Sequence, residues 1–339
     1  MAKKNFLSRK ISPYDPLAAK SADDVLSALK TCSFQGRNMS YALDVWETMC
    51  RDKKCFRVLS LAGAMVPGGM GLLIMRLIEK KLVHAIVCTG ATMAHDMCNT
   101  VAQGDQAHYI GDEFEDDLAL RNANVNRIYD TYLSESGFQA AEKAVIKLLP
   151  GLDYDRVEGS VCTISTTSFL RQLGRKLPGR SIITAAAKHD VAIYVPAISD
   201  SELGLNVVVG NKHGAVGKGR KVVFDTLRDV ELYAEMLTGF PKAGLVSIGG
   251  GVPRNWAQQV YPYLNMKVYD KRVEAEGYHY GVRITTDRPD FGGMSGCTIS
   301  ESKSWGKYET QAVETSVICD ATIALPLLTS ALFQRLGTR

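Results

Sequence analysis

The sequence predicts an α/β protein, one large doubly wound domain whose mostly parallel sheet carries helices on both faces. Three observations carry that expectation. Strand-like and helix-like apolar segments alternate along the whole 339-residue chain. A strand, a glycine-rich turn, a helix and a second strand follow one another over residues 55–89, a βαβ unit that requires a parallel pair with a right-handed crossover. No Pro/Ser-rich linker, composition break or internal repeat divides the chain. Residues 1–20 are polar and contain Pro13 and Pro16, so they read as an arm ahead of a domain at 21–339.

Each element has its own signal. Residues 21–51 read as helical: Ser21 with Asp24 three positions on resembles a capping box, and Val25, Leu26 and Leu29 share a face. A strand at 55–61 runs into the turn 62–71, which opens an apolar helix at 72–81, and a second strand follows at 85–89. The turn 90–96 is expected as a loop carrying His95, and residues 97–150 as mostly helical, with Glu113, Glu115, Asp116 and Asp117 on a solvated face. Helices at 165–173, 181–189 and 225–238 alternate with strands at 191–195 and 244–248, and a brief apolar element stands at 207–209. A strand at 280–286 leads through a long loop to Lys307, then to a strand at 316–320 and a closing helix at 324–336.

Bulk properties exclude several functions. With 46% hydrophobic and 22% charged residues the composition is that of an ordinary soluble protein. A net charge of +4 from scattered basic residues gives no concentrated face for nucleic acid. The eight cysteines form no C-x-x-C pair or zinc-like spacing, so no metal site is expected, and their place in apolar runs fits a reducing compartment. The N-terminus lacks an apolar leader and no window reaches 18 consecutive apolar residues, so a cytoplasmic, membrane-free protein is expected.

Five strand ends, after Leu61, Thr89, Val195, Ile248 and Thr286, carry glycine or acid, and ligands of open α/β sheets collect at the carboxyl ends of strands. The turn at 62–71 is not a clean G-x-G-x-x-G; it fits either an anion held by backbone N–H groups or a tight helix–strand turn. For Gly249, Gly250 and Gly251 no structural need is visible, which favours close approach of backbone to a ligand. Lys307, two residues after Trp305 on a Ser-Trp-Gly turn, is either a solvent-seeking lysine or an amine walled by an aromatic face and desolvated into a nucleophile.

The combination of Ser304-Trp305-Gly306-Lys307, Asp320-Ala321, the turn 248–252, Pro196-Ala197 with Asp200, and Thr89 resembles the deoxyhypusine synthase family over about residues 20–335. That resemblance implies a Rossmann-like fold, NAD as cofactor, and a homotetramer with active sites between paired subunits. It implies aminobutyl transfer from spermidine through a lysine imine, an alkyl-transferase reaction. By position, Lys307 takes the imine-forming role, with Trp305 and Glu301 lining the polyamine channel. The NAD contacts implied are Gly63, Ala64, Met65, Val66, Pro67, Thr89, Gly90, Asp200, Gly250, Thr286, Asp320 and Ala321. Where the family has a glutamate pair this chain has Ala94 and His95; Leu205 replaces an aspartate, Asn255 a histidine, and Gly292-Gly293-Met294 an acidic Gly-Ser-Asp. His95, Asn255, Gly292 and Gly293 therefore stand as substrate-side positions of a divergent branch.

Three readings follow. The lost acids favour transfer to a small amine, for example putrescine to give homospermidine. A second is modification of a lysine on the translation factor that carries hypusine. A third is a catalytically silent NAD-binding assembly protein, against which the retention of Trp305, Lys307 and Glu301 together weighs.

Overall fold

The computed structural model describes residues 7–101, 107–217, 219–266, 276–292 and 297–337. Ser21 accepts the Asp24 N–H and caps α1 (Ala22–Leu29), as its sequence signature anticipates. The helix expected over 21–51 is broken in two: Phe34 turns the chain in the left-handed region at φ 56°, and α2 (Phe34–Arg51) starts afresh. Then come β1 (Cys55–Leu61), α3 (Gly71–Glu79), β2 (Ala85–Cys88) and α4 (Gly90–Val101).

The stretch expected to be mostly helical, 97–150, keeps α4 to Val101 and from His108 builds a small antiparallel sheet. Its strands are β3 (His108–Ile110), β4 (Val125–Ile128) and β5 (Thr131–Ser134), in the order β3-β5-β4, with α5 (Asp117–Asn122) between β3 and β4. β-Branched and aromatic residues such as Ile110, Val125, Ile128 and Tyr132 favour pleated surfaces. The acidic run serves as a cap and an ion pair, Asp116 accepting the Leu118 N–H and Asp117 bonding Arg127. Helix returns in α6 (Glu135–Leu148).

A second small sheet joins β6 (Arg156–Glu158), β7 (Val161–Ile164) and β9 (Lys221–Phe224). Between them lie α7 (Thr166–Lys176), α8 (Ile182–His189), β8 (Ala192–Tyr194) and α9 (Glu202–Lys212), the last of which absorbs the brief apolar element expected at 207–209. The chain closes with α10 (Thr226–Thr238), β10 (Lys242–Ile248), α11 (Gly251–Asn265), β11 (Tyr278–Thr285), α12 (Ile299–Lys303), β12 (Tyr308–Ile318) and α13 (Ala321–Arg335).

The main sheet is all parallel, ordered β12-β11-β10-β1-β2-β8. The chain steps outward from β1 through β2 to β8, returns to the other flank of β1 at β10, and proceeds through β11 to β12. The order therefore reverses between β1 and β10, which is where open α/β sheets bind ligands. Both faces are covered. Leu59, Leu61, Ile86, Val246 and Ile284 face the layer that includes α2, α3, α4 and α13, while Phe56, Val58, Val87 and Leu245 face α10 and α11. Double coverage is why the strands read as continuous apolar runs.

Arg335 ties the last helix to the first two, reaching Asp23, Asp44 and Glu47 from a side chain only 16% exposed. Arg335→Ala leaves three neighbouring carboxylates without their shared cation. A loss of about 1–3 kcal/mol in denaturant unfolding at unchanged slope is expected.

Candidate functional site

The two glycine turns meet at the reversal point. The Ala62 N–H donates to the Ile248 carbonyl at 3.1 Å and the Gly249 N–H to the Ile284 carbonyl at 2.8 Å, so both turns leave the sheet side by side. Gly249 lies at φ 75° and an ideal Cβ there would sit 3.3 Å from the Ala62 Cβ; Gly251 lies at φ 61°. Two of the three glycines thus have a conformational need that the sequence did not reveal. Gly250, between them, is buried and caps α11.

The other positions expected to contact the cofactor line the same carboxyl edge. Gly63 and Ala64 are exposed, whereas Met65, Val66 and Pro67 are buried, Met65 and Val66 in the core. Thr89 ends β2, its hydroxyl 3.0 Å from that of Thr92 at the start of α4. Gly90 is a packing position, since a Cβ would fall 2.2 Å from the Ser201 hydroxyl at the start of α9. Asp200 and Thr286 are exposed just beyond β8 and β11. Asp320 caps α13, accepting the Thr322 N–H at 2.7 Å and hydroxyl at 2.6 Å, and these bonds hold its carboxyl below its ordinary pKa. Val66, Pro67 and Thr322 border a groove of about 840 Å³ whose far wall carries Asp96, Asn99 and His108. An adenine dinucleotide needs backbone approach and an exposed acid, and the two glycine turns with Asp200 and Asp320 offer both.

Lys307 is built by a separate piece of chain. Thr298 caps the short α12 by accepting the Glu301 N–H, and the Lys307 N–H returns to the Ser302 carbonyl at 3.1 Å. The side chain is 8% exposed, its Nζ donating to Asn255 Oδ1 at 2.9 Å and standing 5.8 Å from the Trp305 ring centre. Burial lowers the Lys307 pKa below that of a free lysine, the Arg254 guanidinium adds to this, and the Cys297 thiol opposes it. Asn255 lies in the second turn of α11, so it links the amine to the helix that the triple-glycine turn begins. Trp305 and Glu301 are exposed beside it. Gly292 is exposed beyond β11; Gly293 and Met294 lie outside the described residues.

His95 is not on a loop. With Thr89 ahead of it, α4 starts at Gly90, and His95 sits inside the helix, Nδ1 3.1 Å from His108 Nε2 and edge-on to Phe138. Its contacts are with His108 of β3 and Phe138 of α6. Burial, with the His108 ring adding, pushes its pKa down to about 4. A depressed folded-state pKa means stability that is present above pH 6.5 and lost as pH falls toward 4. Urea unfolding from pH 7 to 5 is expected to show this loss, and His95→Gln to flatten it.

Arg254 and Arg283 escape sequence reasoning. They are 3% and 2% exposed, and each donates to the Cys297 carbonyl at 2.9 Å. The available signal was a charge inside the apolar strand Tyr278–Thr285. Among the described residues no group of three or more His, Cys, Asp or Glu is placed to hold a metal, and no helix is long and apolar enough to cross a membrane.

The fold is thus a doubly wound α/β sheet with glycine turns at its reversal point and a desolvated lysine on the flank. Residues 24–332 match the family model for deoxyhypusine synthase. A probable deoxyhypusine synthase 2 of Archaeoglobus fulgidus is 36% identical over 302 residues, 88% of this chain and 94% of that protein. Another protein so named, from Methanosarcina acetivorans, is 32% identical over 96% of this chain and 90% of its own length. A deoxyhypusine synthase-like protein of Coxiella burnetii is 32% identical over 93% of this chain and 86% of its own. In structure, a putative deoxyhypusine synthase from Entamoeba histolytica superposes with a TM-score of 0.60 at 17% identity, over 96% of this chain and 97% of that one, a likeness of fold. The chain belongs to the deoxyhypusine synthase family. It is therefore a transferase of the alkyl-transferring class, from a family that generally moves aminobutyl groups from polyamines with NAD.

Proposed function

We propose that this chain is an NAD-dependent aminobutyl transferase that takes spermidine or a related polyamine, carries the four-carbon group on Lys307 as an imine, and delivers it to a small amine such as putrescine. The observation that carries the reading is the Lys307 amine, buried, held by Asn255 at 2.9 Å and faced by Trp305. Bound NAD would supply the hydride acceptor for oxidising the donor carbon and the hydride for reducing the final imine. Gly63, Thr89, Asp200, Gly250, Thr286, Asp320 and Ala321 are the residues assigned to hold it. The neutral Lys307 amine adds to the oxidised donor carbon; the C–N bond to the departing diamine breaks, and that diamine leaves with the proton. The acceptor amine then displaces Lys307 by the same exchange, regenerating the free lysine. Trp305 and Glu301 suit a cationic chain, an aromatic face and a carboxylate.

The assembly proposed is a homotetramer in the cytoplasm, with 1–20 as an arm and 21–339 as one catalytic domain; all eight cysteines are free thiols, in keeping with that compartment. That the relatives are named probable deoxyhypusine synthases supports a second acceptor, a lysine of the hypusine-carrying translation factor. Spermidine and NAD incubated with either putrescine or that purified factor distinguishes the two by product. Borohydride added during turnover is expected to fix a four-carbon adduct on Lys307. Absence of any adduct overturns transfer and leaves a silent NAD-binding assembly protein.

A further inference from the structure

A buried arginine, Arg254, bears on the Lys307 amine. Arg254 immediately precedes Asn255 on α11, so the residue that receives the lysine amine and the residue that carries the guanidinium move as one unit. Arg283 comes from the neighbouring β11, and both guanidiniums converge on one acceptor, the Cys297 carbonyl. Cys297 is in turn bound to the frame of the lysine: its thiol is 3.1 Å from the Ser302 hydroxyl, and the Ser302 carbonyl receives the Lys307 N–H. Two buried positive groups are thus fixed in the same frame that fixes the amine. A positive charge near a buried amine disfavours its protonation, and low dielectric lets that repulsion reach further than in water.

We infer that Arg254, braced by Arg283 on the Cys297 carbonyl, is a positioning residue that keeps Lys307 a neutral amine while Asn255 aims it. The inference rests on Lys307 being the nucleophile of the proposed transfer. Arg254 acts through the lysine and touches no reacting atom. The groups that act on the Lys307 charge are Arg254 from α11 and the Cys297 thiol ahead of α12; Arg283 from β11 acts on Arg254, and Glu301 on α12 is exposed to water. Burial favours the neutral amine first, Arg254 adds to it, and the thiol, when ionised, opposes it. Arg283 itself is pushed down to about 10 by burial and by Arg254, which places the two guanidiniums within electrostatic reach of each other.

A purely structural clamp would do without the charge, and the test separates the two. The full-length protein is alkylated with butyraldehyde and cyanoborohydride from pH 6 to 11, and modification of Lys307 is read by peptide mass spectrometry. Each event joins the amine nitrogen to the aldehyde carbon with loss of water, and cyanoborohydride reduces the imine; only the neutral amine reacts. The Lys307 midpoint is expected below that of surface lysines. Arg254→Met is expected to raise it, slowing the reaction severalfold on the acid side, while Arg254→Lys retains the wild-type midpoint. A midpoint unmoved in Arg254→Met overturns the inference. If that variant fails to fold, Arg254→Gln carries the test, with an upward shift again expected and no shift overturning the inference. The probe needs neither NAD nor polyamine. A shifted midpoint without any spermidine adduct would therefore sink the transfer reading alone, and an adduct with an unmoved midpoint would sink this inference alone.

Discussion

Lys307→Ala is expected to lower aminobutyl transfer by at least about 10³-fold, because removal of a covalent nucleophile removes the pathway it carries. NAD affinity is expected to change by less than about threefold, since the positions proposed to hold NAD lie on the turns after β1, β2, β8, β10, β11 and β12 while Lys307 precedes β12. The truncation has a structural cost as well. It leaves Asn255 Oδ1 without its donor, and because Asn255 is exposed and water can take the amine's place, the cost is expected below about 1 kcal/mol. Lys307→Met keeps the apolar stem beside Trp305 and separates packing from chemistry. Calorimetric titration of NAD and stopped-time product assays on both variants check the split. Equal loss of NAD affinity and turnover would show that Lys307 is part of the cofactor site and would overturn its assignment.

What was legible in the sequence follows from where information is local. β1 could be placed to the residue because a strand covered on both faces is a continuous apolar run, and Cys55–Leu61 is buried throughout. The sheet order was implied only as parallel. That the turns after Leu61 and Ile248 stand side by side depends on a return of the chain from β8 to β10, which no local pattern encodes. His95 was expected on a loop because Gly90 suggested a turn; Gly90 instead lets α4 pack against Ser201, a contact 111 positions along. The sheet at 108–134 was hidden by the acids of 113–117, whose capping and ion-pair roles depend on Arg127 and Leu118. Lys307 beside Trp305 was readable as a short motif. Its partners were not: Asn255 is 52 residues distant and becomes a neighbour only when α11 crosses the face of the sheet. The two arginines remained hidden for the same reason, their shared acceptor being a backbone carbonyl that carries no residue-type signal.

The turn after β10 provides the second large effect, because its glycines separate backbone conformation from contact. At Gly251 an alanine meets nothing within 4 Å and carries only the strain of φ 61°, about 1–2 kcal/mol. At Gly249 the strain is similar at φ 75°, and the new methyl also lies 3.3 Å from the Ala62 Cβ, on the turn leaving β1. Ala62 cannot easily yield, since its N–H is tied to the Ile248 carbonyl directly before the glycines. The strain is relieved by parting the two turns, at the point of the sheet where a dinucleotide is expected to lie against both. Gly249→Ala is therefore expected to weaken NAD binding by at least about tenfold, or 1.4 kcal/mol, and to lower the melting temperature by a few degrees. Gly251→Ala is expected to lower the melting temperature by a similar amount with a smaller change in NAD affinity. Fluorescence titration of NADH against both variants reads the comparison. Equal losses of affinity would mean that backbone strain alone governs the turn, and an unchanged affinity in Gly249→Ala would mean that NAD does not bind where β1 and β10 part.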